Sequence, residues 1–199
     1  FSMTISRGGR CQLDGIAGLS GVTELRLDST RFGLDLGPVS ALKTLTSITV
    51  RTKLSQSGLE PLAGLVALET VDVERCGALT SLRALEGLRA LRRLNLSGCA
   101  QVSDLSPLTG LTALENLNLR GCRGVTDLSP LAGLTSLRFL DLEGIQGTLD
   151  LSPLAGLSKL STLTVAPHAK LTGLSTLANC GGLRSNITFD KQGLSLIHI

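Results

Sequence analysis

The sequence predicts an α/β solenoid of horseshoe form, with a parallel β-sheet on its concave face and short turns or 3-10 helices on its convex face. Three observations carry this expectation. Val22, Leu45, Leu68, Leu91, Leu114, Leu137, Leu160 and Leu183 stand at an unbroken spacing of 23 residues. Self-similarity at a fixed period of roughly 20 to 50 residues marks stacked coils, because each coil can bury its apolar side chains only against its neighbours. The apolar positions inside each coil repeat as well. Finally, the segment that returns the chain to its starting edge is too short for a long helix.

Numbering each coil from its opening residue makes Leu114 position 1 and fixes the elements in turn. Leu114, Leu117 and Leu119, at positions 1, 4 and 6, combine an alternating apolar pair with a leucine entering from the preceding bend. That pattern suits a short strand with one buried face, stacked in parallel on its neighbours. Cys122, Val125, Leu128, Leu131 and Leu134, at positions 9, 12, 15, 18 and 21, are expected to point inward too. The return segment contains Ser129-Pro130, where serine can cap and proline can open one tight 3-10-like turn.

Residues 1–21 read as the end of a coil that begins upstream, with Met3 and Ile5 in a strand and Leu13, Ile16 and Leu19 at positions 15, 18 and 21. The coils opening at Val22 and Leu45 keep the leucine skeleton but have Thr30 and Lys53 at the bend where cysteine is due. From Leu68 through Leu137 the pattern is close to ideal, carrying Cys76-Gly77, Gly98-Cys99 and Gly121-Cys122. In the coil of Leu137, Ile145 replaces the cysteine and Thr148 the position-12 valine, so Leu149 is expected to shift inward. His168 lies where the next bend must be rebuilt. After Leu183, Ile187 and Phe189 come one residue late, which allows a last, slightly bulged strand. One solenoid is therefore expected over residues 1–193, truncated at both ends. Leu194–Ile199 resembles the conceptual translation of a sequencing adapter and is expected to be non-native.

The chain has 199 residues and 42% hydrophobic content, enough for a continuous core. A net charge of +3 from 19 basic and 16 acidic residues gives no strong pull toward nucleic acid or an anionic membrane. No apolar run approaches the length of a spanning helix. The N-terminal FSMTISRGGR lacks the apolar core of a signal peptide, and a start at Phe1 leaves an upstream signal open. Three of the five cysteines, Cys76, Cys99 and Cys122, share one position and should form an internal ladder roughly 4.8 Å apart. Their expected state is a buried, reduced thiol facing bend backbone. Cys180 replaces a core leucine. Zinc-type spacing and histidine ligands are missing, so no metal or cofactor is expected. Internal, odd-numbered cysteines argue for a reducing compartment.

The segments Val102 to Cys122 and Val125 to Gly144 resemble the short-repeat leucine-rich repeats of internalins and of the phosphatase-regulator type. In that class D-[IL]-x-P-L-x-x-L marks the convex side, and D-L-S-P-L stands here at Asp104 to Leu108, Asp127 to Leu131 and Asp150 to Leu154. Two departures are plain: a period of 23 where 22 is commoner, and cysteine where asparagine is usual at the bend. The resemblance implies a curved protein-binding scaffold that uses its concave sheet and carries no chemistry of its own.

Alternation sends positions 2, 3, 5 and 7 away from the core and onto the concave face. The richest patch there is Arg92, Arg93, Asn95, Asn116, Asn118, Arg120, Arg138, Phe139 and Asp141, which joins arginines and amides to the one aromatic of that face. The plainer reading is a solvated sheet whose opposite charges pair across strands, as Glu69, Arg92, Glu115 and Arg138 could. The triplets Asn95-Leu96-Ser97 and Asn186-Ile187-Thr188 match the glycosylation pattern, but a glycan on Asn95 would block the face. Catalysis needs converging nucleophile, base or metal groups, and His168 has no evident partner, so no catalytic residue is assigned. A non-catalytic scaffold for a protein partner is the expected function. The alternatives are the recognition segment of a larger protein with a catalytic domain elsewhere, or of a secreted or surface adhesion or receptor protein.

Overall fold

A computed structural model describes residues 1–6, 13, 15–28, 34–51, 54, 58–165, 170–180, 183 and 187–189. Cys11, Thr30, Lys53, His168, Asn186 and the 194–199 tail lie outside them. Among the described residues the strands are β1 (Ser2–Ser6), β2 (Glu24–Asp28), β3 (Ser47–Val50), β4 (Thr70–Val73), β5 (Arg93–Asn95), β6 (Asn116–Asn118), β7 (Phe139–Leu142), β8 (Thr148–Asp150), β9 (Thr162–Val165), β10 (Lys170–Thr172) and β11 (Ile187–Phe189). Nine of these form one parallel sheet in the order β1-β2-β3-β4-β5-β6-β7-β9-β11. Such an order, with every pairing parallel, requires each coil to pass once around and return beside itself.

The register carries the period directly. Leu25 faces Ile48, Ile48 faces Val71, Leu94 faces Leu117 and Leu117 faces Leu140, each pair 23 residues apart. The ends deviate by one residue in opposite senses. Met3 faces Leu25, 22 residues on, and Leu163 faces Ile187, 24 residues on. The late placement of Ile187 in the sequence is thus absorbed as one extra residue in the last coil.

The core is a stack of equivalent layers. Leu114, Leu117, Leu119, Cys122, Val125, Leu128, Leu131 and Leu134 are all buried, and the equivalent residues of neighbouring coils lie directly above and below them. Burial of this kind contributes roughly 1.5 to 3 kcal/mol per large side chain. A coil lifted out of the stack would expose both flat sides of its layer. Thr148 is exposed and Leu149 buried, so the expected one-residue shift does occur. Its consequence was not foreseen: Thr148–Asp150 becomes β8 and pairs in parallel with β10, a second small sheet away from the main one.

The return segments are 3-10 turns, including Glu60–Leu62, Ser106–Leu108, Ser129–Leu131 and Ser152–Gly156, each with proline in its first turn. Proline fits there because its fixed φ suits the turn and its missing N–H is not required. The serine, however, does not cap. The aspartate two residues earlier accepts the serine backbone N–H instead: Ser106 N donates to Asp104 Oδ1 at 2.8 Å, Ser129 N to Asp127 Oδ1 at 2.8 Å and Ser152 N to Asp150 Oδ1 at 3.0 Å. A carboxylate reaches an N–H two residues on more readily than the short serine hydroxyl reaches beyond its own turn. The Ser106 hydroxyl and then its N–H hold the Asp104 carboxyl below the ordinary 3.8, and Ser129 does the same for Asp127.

The corner after β4, β5, β6 and β7 takes a left-handed residue. Gly98, Gly121 and Gly144 occupy it with φ of 75°, 73° and 80°, whereas the equivalent Arg75 has φ 58°. For a residue with a Cβ this conformation costs about 1 to 2 kcal/mol. The Arg75 side chain is 85% exposed, so little packing would be lost with it. Arg75→Gly is expected to stabilise the chain by about 1 kcal/mol, partly offset by the greater freedom of unfolded glycine. The urea midpoint should rise; an unchanged or lower one would remove the strain argument.

Candidate partner-binding face

The strands place positions 3 and 5 on the concave side and position 4 in the core, because successive side chains alternate. Two rows of outward residues therefore cross the central sheet. Arg93, Asn116 and Phe139 are register partners in one row, and Asp72, Asn95, Asn118 and Asp141 form the other. Arg92 and Arg138 enter just before β5 and β7. Arg120 stands just after β6.

The second row is committed to the fold. Asn95 Oδ1 accepts the N–H of Ser97 at 3.0 Å, Asn118 Oδ1 that of Arg120 at 2.9 Å and Asp141 Oδ1 that of Glu143 at 2.9 Å. Each of these bonds closes the bend into the corner, and β5 and β6 end at Asn95 and Asn118. Asn95 Nδ2 also donates to Asp72 Oδ1 at 2.8 Å. Burial raises the Asp72 carboxyl above its ordinary 3.8, against the opposing pull of Arg51 and the Asn95 amide. Asp141, expected to be an exposed member of the patch, is only 8% exposed. Its carboxylate faces the concave side but serves its own strand end. A glycan on Asn95 would be carried by the same Nδ2 that donates to Asp72.

Charge pairing accounts for two more residues. Arg92 Nη1 meets Glu115 Oε1 at 2.7 Å across adjacent coils, and Arg120 pairs with Glu143. Within the possible Glu69, Arg92, Glu115, Arg138 ladder, the Arg92–Glu115 rung is the one formed. Four residues of the expected patch keep their side chains unengaged. Arg93 and Arg138 are exposed and Asn116 and Phe139 half-buried, and none of the four makes a side-chain hydrogen bond or ion pair among the described residues. The structure thus divides the nine sequence-derived residues into Arg93, Asn116, Arg138 and Phe139, which are free, and Arg92, Asn95, Asn118, Arg120 and Asp141, which are already used. Sequence reasoning placed Glu115 in a cross-strand charge ladder, which the structure forms with Arg92, but missed Glu143 as the counterion of Arg120. The recurrence of Asn or Asp three residues before the corner could have revealed the strand-ending role.

Away from this face, an open groove of about 530 Å³ lies where Ser81-Leu82-Arg83-Ala84 replaces Asp-Leu-Ser-Pro. Its polar lining residues are exposed or half-exposed. The cysteines are enclosed: in the ladder Cys99 Sγ donates to Val73 O at 3.1 Å and Cys122 Sγ to Leu96 O at 3.2 Å, and outside it Cys180 Sγ donates to Leu154 O at 3.2 Å. Burial pushes the Cys99 thiol up to about 11 and that of Cys122 up to about 12, so both stay protonated and unreactive at neutral pH. Among the described residues no group of three or more His, Cys, Asp or Glu could hold a metal ion. No helix there is long and apolar enough to cross a membrane.

A one-coil-per-strand parallel sheet with 3-10 returns and an outward-facing, chemically varied concave surface defines a leucine-rich-repeat solenoid, and the chain belongs to that family in its internalin type. The family model described as Leucine Rich repeats (2 copies) matches residues 89–133. Among solved structures, internalin C2 of Listeria monocytogenes is 31% identical with a TM-score of 0.68, covering 86% of this chain and 70% of its own. The internalin inlF of the same organism is 27% identical with a TM-score of 0.70, covering 82% of this chain. This chain spans 47% of the length of that inlF structure. No curated protein matches by sequence. Solenoids of this family generally mediate protein–protein interaction and are typically non-catalytic.

Proposed function

We propose that this chain is a non-catalytic scaffold that binds a protein partner on its concave sheet, centred on Arg93, Asn116, Arg138 and Phe139. Arg92, Asn95, Asn118, Arg120 and Asp141 shape the floor and rim around them. The observation that carries this reading is the contrast between the two rows: one is consumed by the fold and the other is left with unsatisfied donors beside a half-buried ring. Arginine and aromatic side chains are the types enriched at interface anchors. Residues 1–193 are read as one such unit.

Arg93→Glu and Phe139→Ala should leave circular dichroism and melting within about 0.5 kcal/mol of the parent, since neither side chain belongs to the core. Binders selected from a protein display library on the parent chain should mostly lose affinity for both variants and keep it for Arg123→Glu, an exposed residue beyond the corner. Binders insensitive to the concave changes but lost on Arg123→Glu would point to another surface. The 47% coverage of inlF favours a second reading, in which this solenoid is the recognition segment of a longer protein. The uninterrupted open reading frame decides that point.

A further inference from the structure

We infer that the partner presents a carboxylate next to an apolar side chain, an inference that rests on the concave-face reading above. Count the outward carboxylates of the central coils. Glu115 is taken by Arg92, Glu143 by Arg120 and Glu74 by Arg51 and Arg75, while Asp141 accepts a backbone N–H and Asp72 meets the Asn95 amide and Arg51. Glu69 alone is unengaged, and it lies one coil before Arg92, on the side away from Phe139. The cations are distributed differently. Arg93 and Arg138 carry no carboxylate among the described residues, and the Asn116 amide between their coils is free as well.

An acidic partner therefore meets guanidinium groups with nothing to displace, and charge-assisted pairs to arginine are the stronger class of hydrogen bond. A basic partner must instead compete for carboxylates that already hold arginines. Phe139 adds the apolar half of the site. It lies two coils from Arg93, roughly 10 Å at about 4.8 Å per strand, so one extended segment of partner chain spans both with an acidic and an apolar residue. The spacing does not suit a nucleic-acid backbone. Only two free cations line this stretch, where a duplex offers a phosphate charge about every 1.7 Å.

The test uses a synthetic peptide series in which a glutamate and a leucine are separated by two to four residues, with matched glutamine and lysine versions, read by fluorescence polarisation. The glutamate series should bind at least tenfold more tightly than the glutamine series and weaken as salt is raised. Arg93→Gln and Arg138→Gln should each reduce that preference, and Arg123→Gln should not. Equal binding of the glutamate and glutamine series, lost on Phe139→Ala, would overturn the acidic partner and leave the concave-face reading standing. Binding of the glutamate series that is indifferent to Arg93, Arg138 and Phe139 would overturn both. Preference for the lysine series, binding by no series, or retention of an RNA homopolymer in their place would also overturn the inference.

Discussion

Leu117→Asp is expected to unfold the central coils. Leu117 is fully buried, with Leu94 on one side and Leu140 on the other in the same register. Aspartate at that point removes one core side chain that packs against the layers on both sides and places an unpaired carboxyl in the apolar core. The combined loss is roughly 4 kcal/mol or more, comparable with the total stability of about 5 to 15 kcal/mol that a domain commonly has. Far-ultraviolet circular dichroism should show loss of the cooperative transition. The neighbouring Arg93→Glu is one residue from a core position and should barely move it. A soluble Leu117→Asp chain melting as sharply as the parent would mean that position 4 does not face inward.

The second large effect lies at alkaline pH. The folded chain keeps the Cys99 and Cys122 protons up to about 11 and about 12, because burial opposes the charged thiolate and, for Cys122, the neighbouring Cys99 adds to it. An unfolded thiol gives up its proton near the ordinary 9.0. Both folded values are raised, so their stabilising contribution is whole below pH 9 and drains away as pH rises toward 11 and 12. The decline is about 1.4 kcal/mol per pH unit for each thiol in that window. The chain has no tyrosine, so no phenol titrates over the same range. Urea midpoints should fall steadily above pH 9, and a Cys99→Ala, Cys122→Ala double variant should fall less steeply. A flat profile for the parent would show that the thiols are not enclosed.

The repeating skeleton was legible because periodicity is a strong signal: eight opening residues at one spacing leave no other way to bury them together. Even the shift at Leu149 followed, since Thr148 could not fill an apolar slot. What escaped was local hydrogen-bond competition. Nothing in the spacing says that Asp127 serves the N–H of Ser129 better than the serine serves itself, or that Thr148–Asp150 will find β10 as a partner. The candidate site was half legible for the same reason. Alternation places Asn95, Asn118 and Asp141 on the outer side correctly, but the direction of the next bend decides that their oxygens turn back to the chain. Arg93, Asn116, Arg138 and Phe139 escape this use because the corner lies five or six residues beyond them, not three.

A pair of introduced cysteines tests the stacking most directly. Thr70 and Arg93 are register partners on the outer side of β4 and β5, and parallel neighbours at about 4.8 Å fall within disulfide range. Mild oxidation of the Thr70→Cys, Arg93→Cys chain should give a rapid internal cross-link, while Thr70→Cys, Leu94→Cys should stay open because Leu94 points into the core. A cross-link in the second pair and none in the first would place these coils in a different register and turn the concave face inside out.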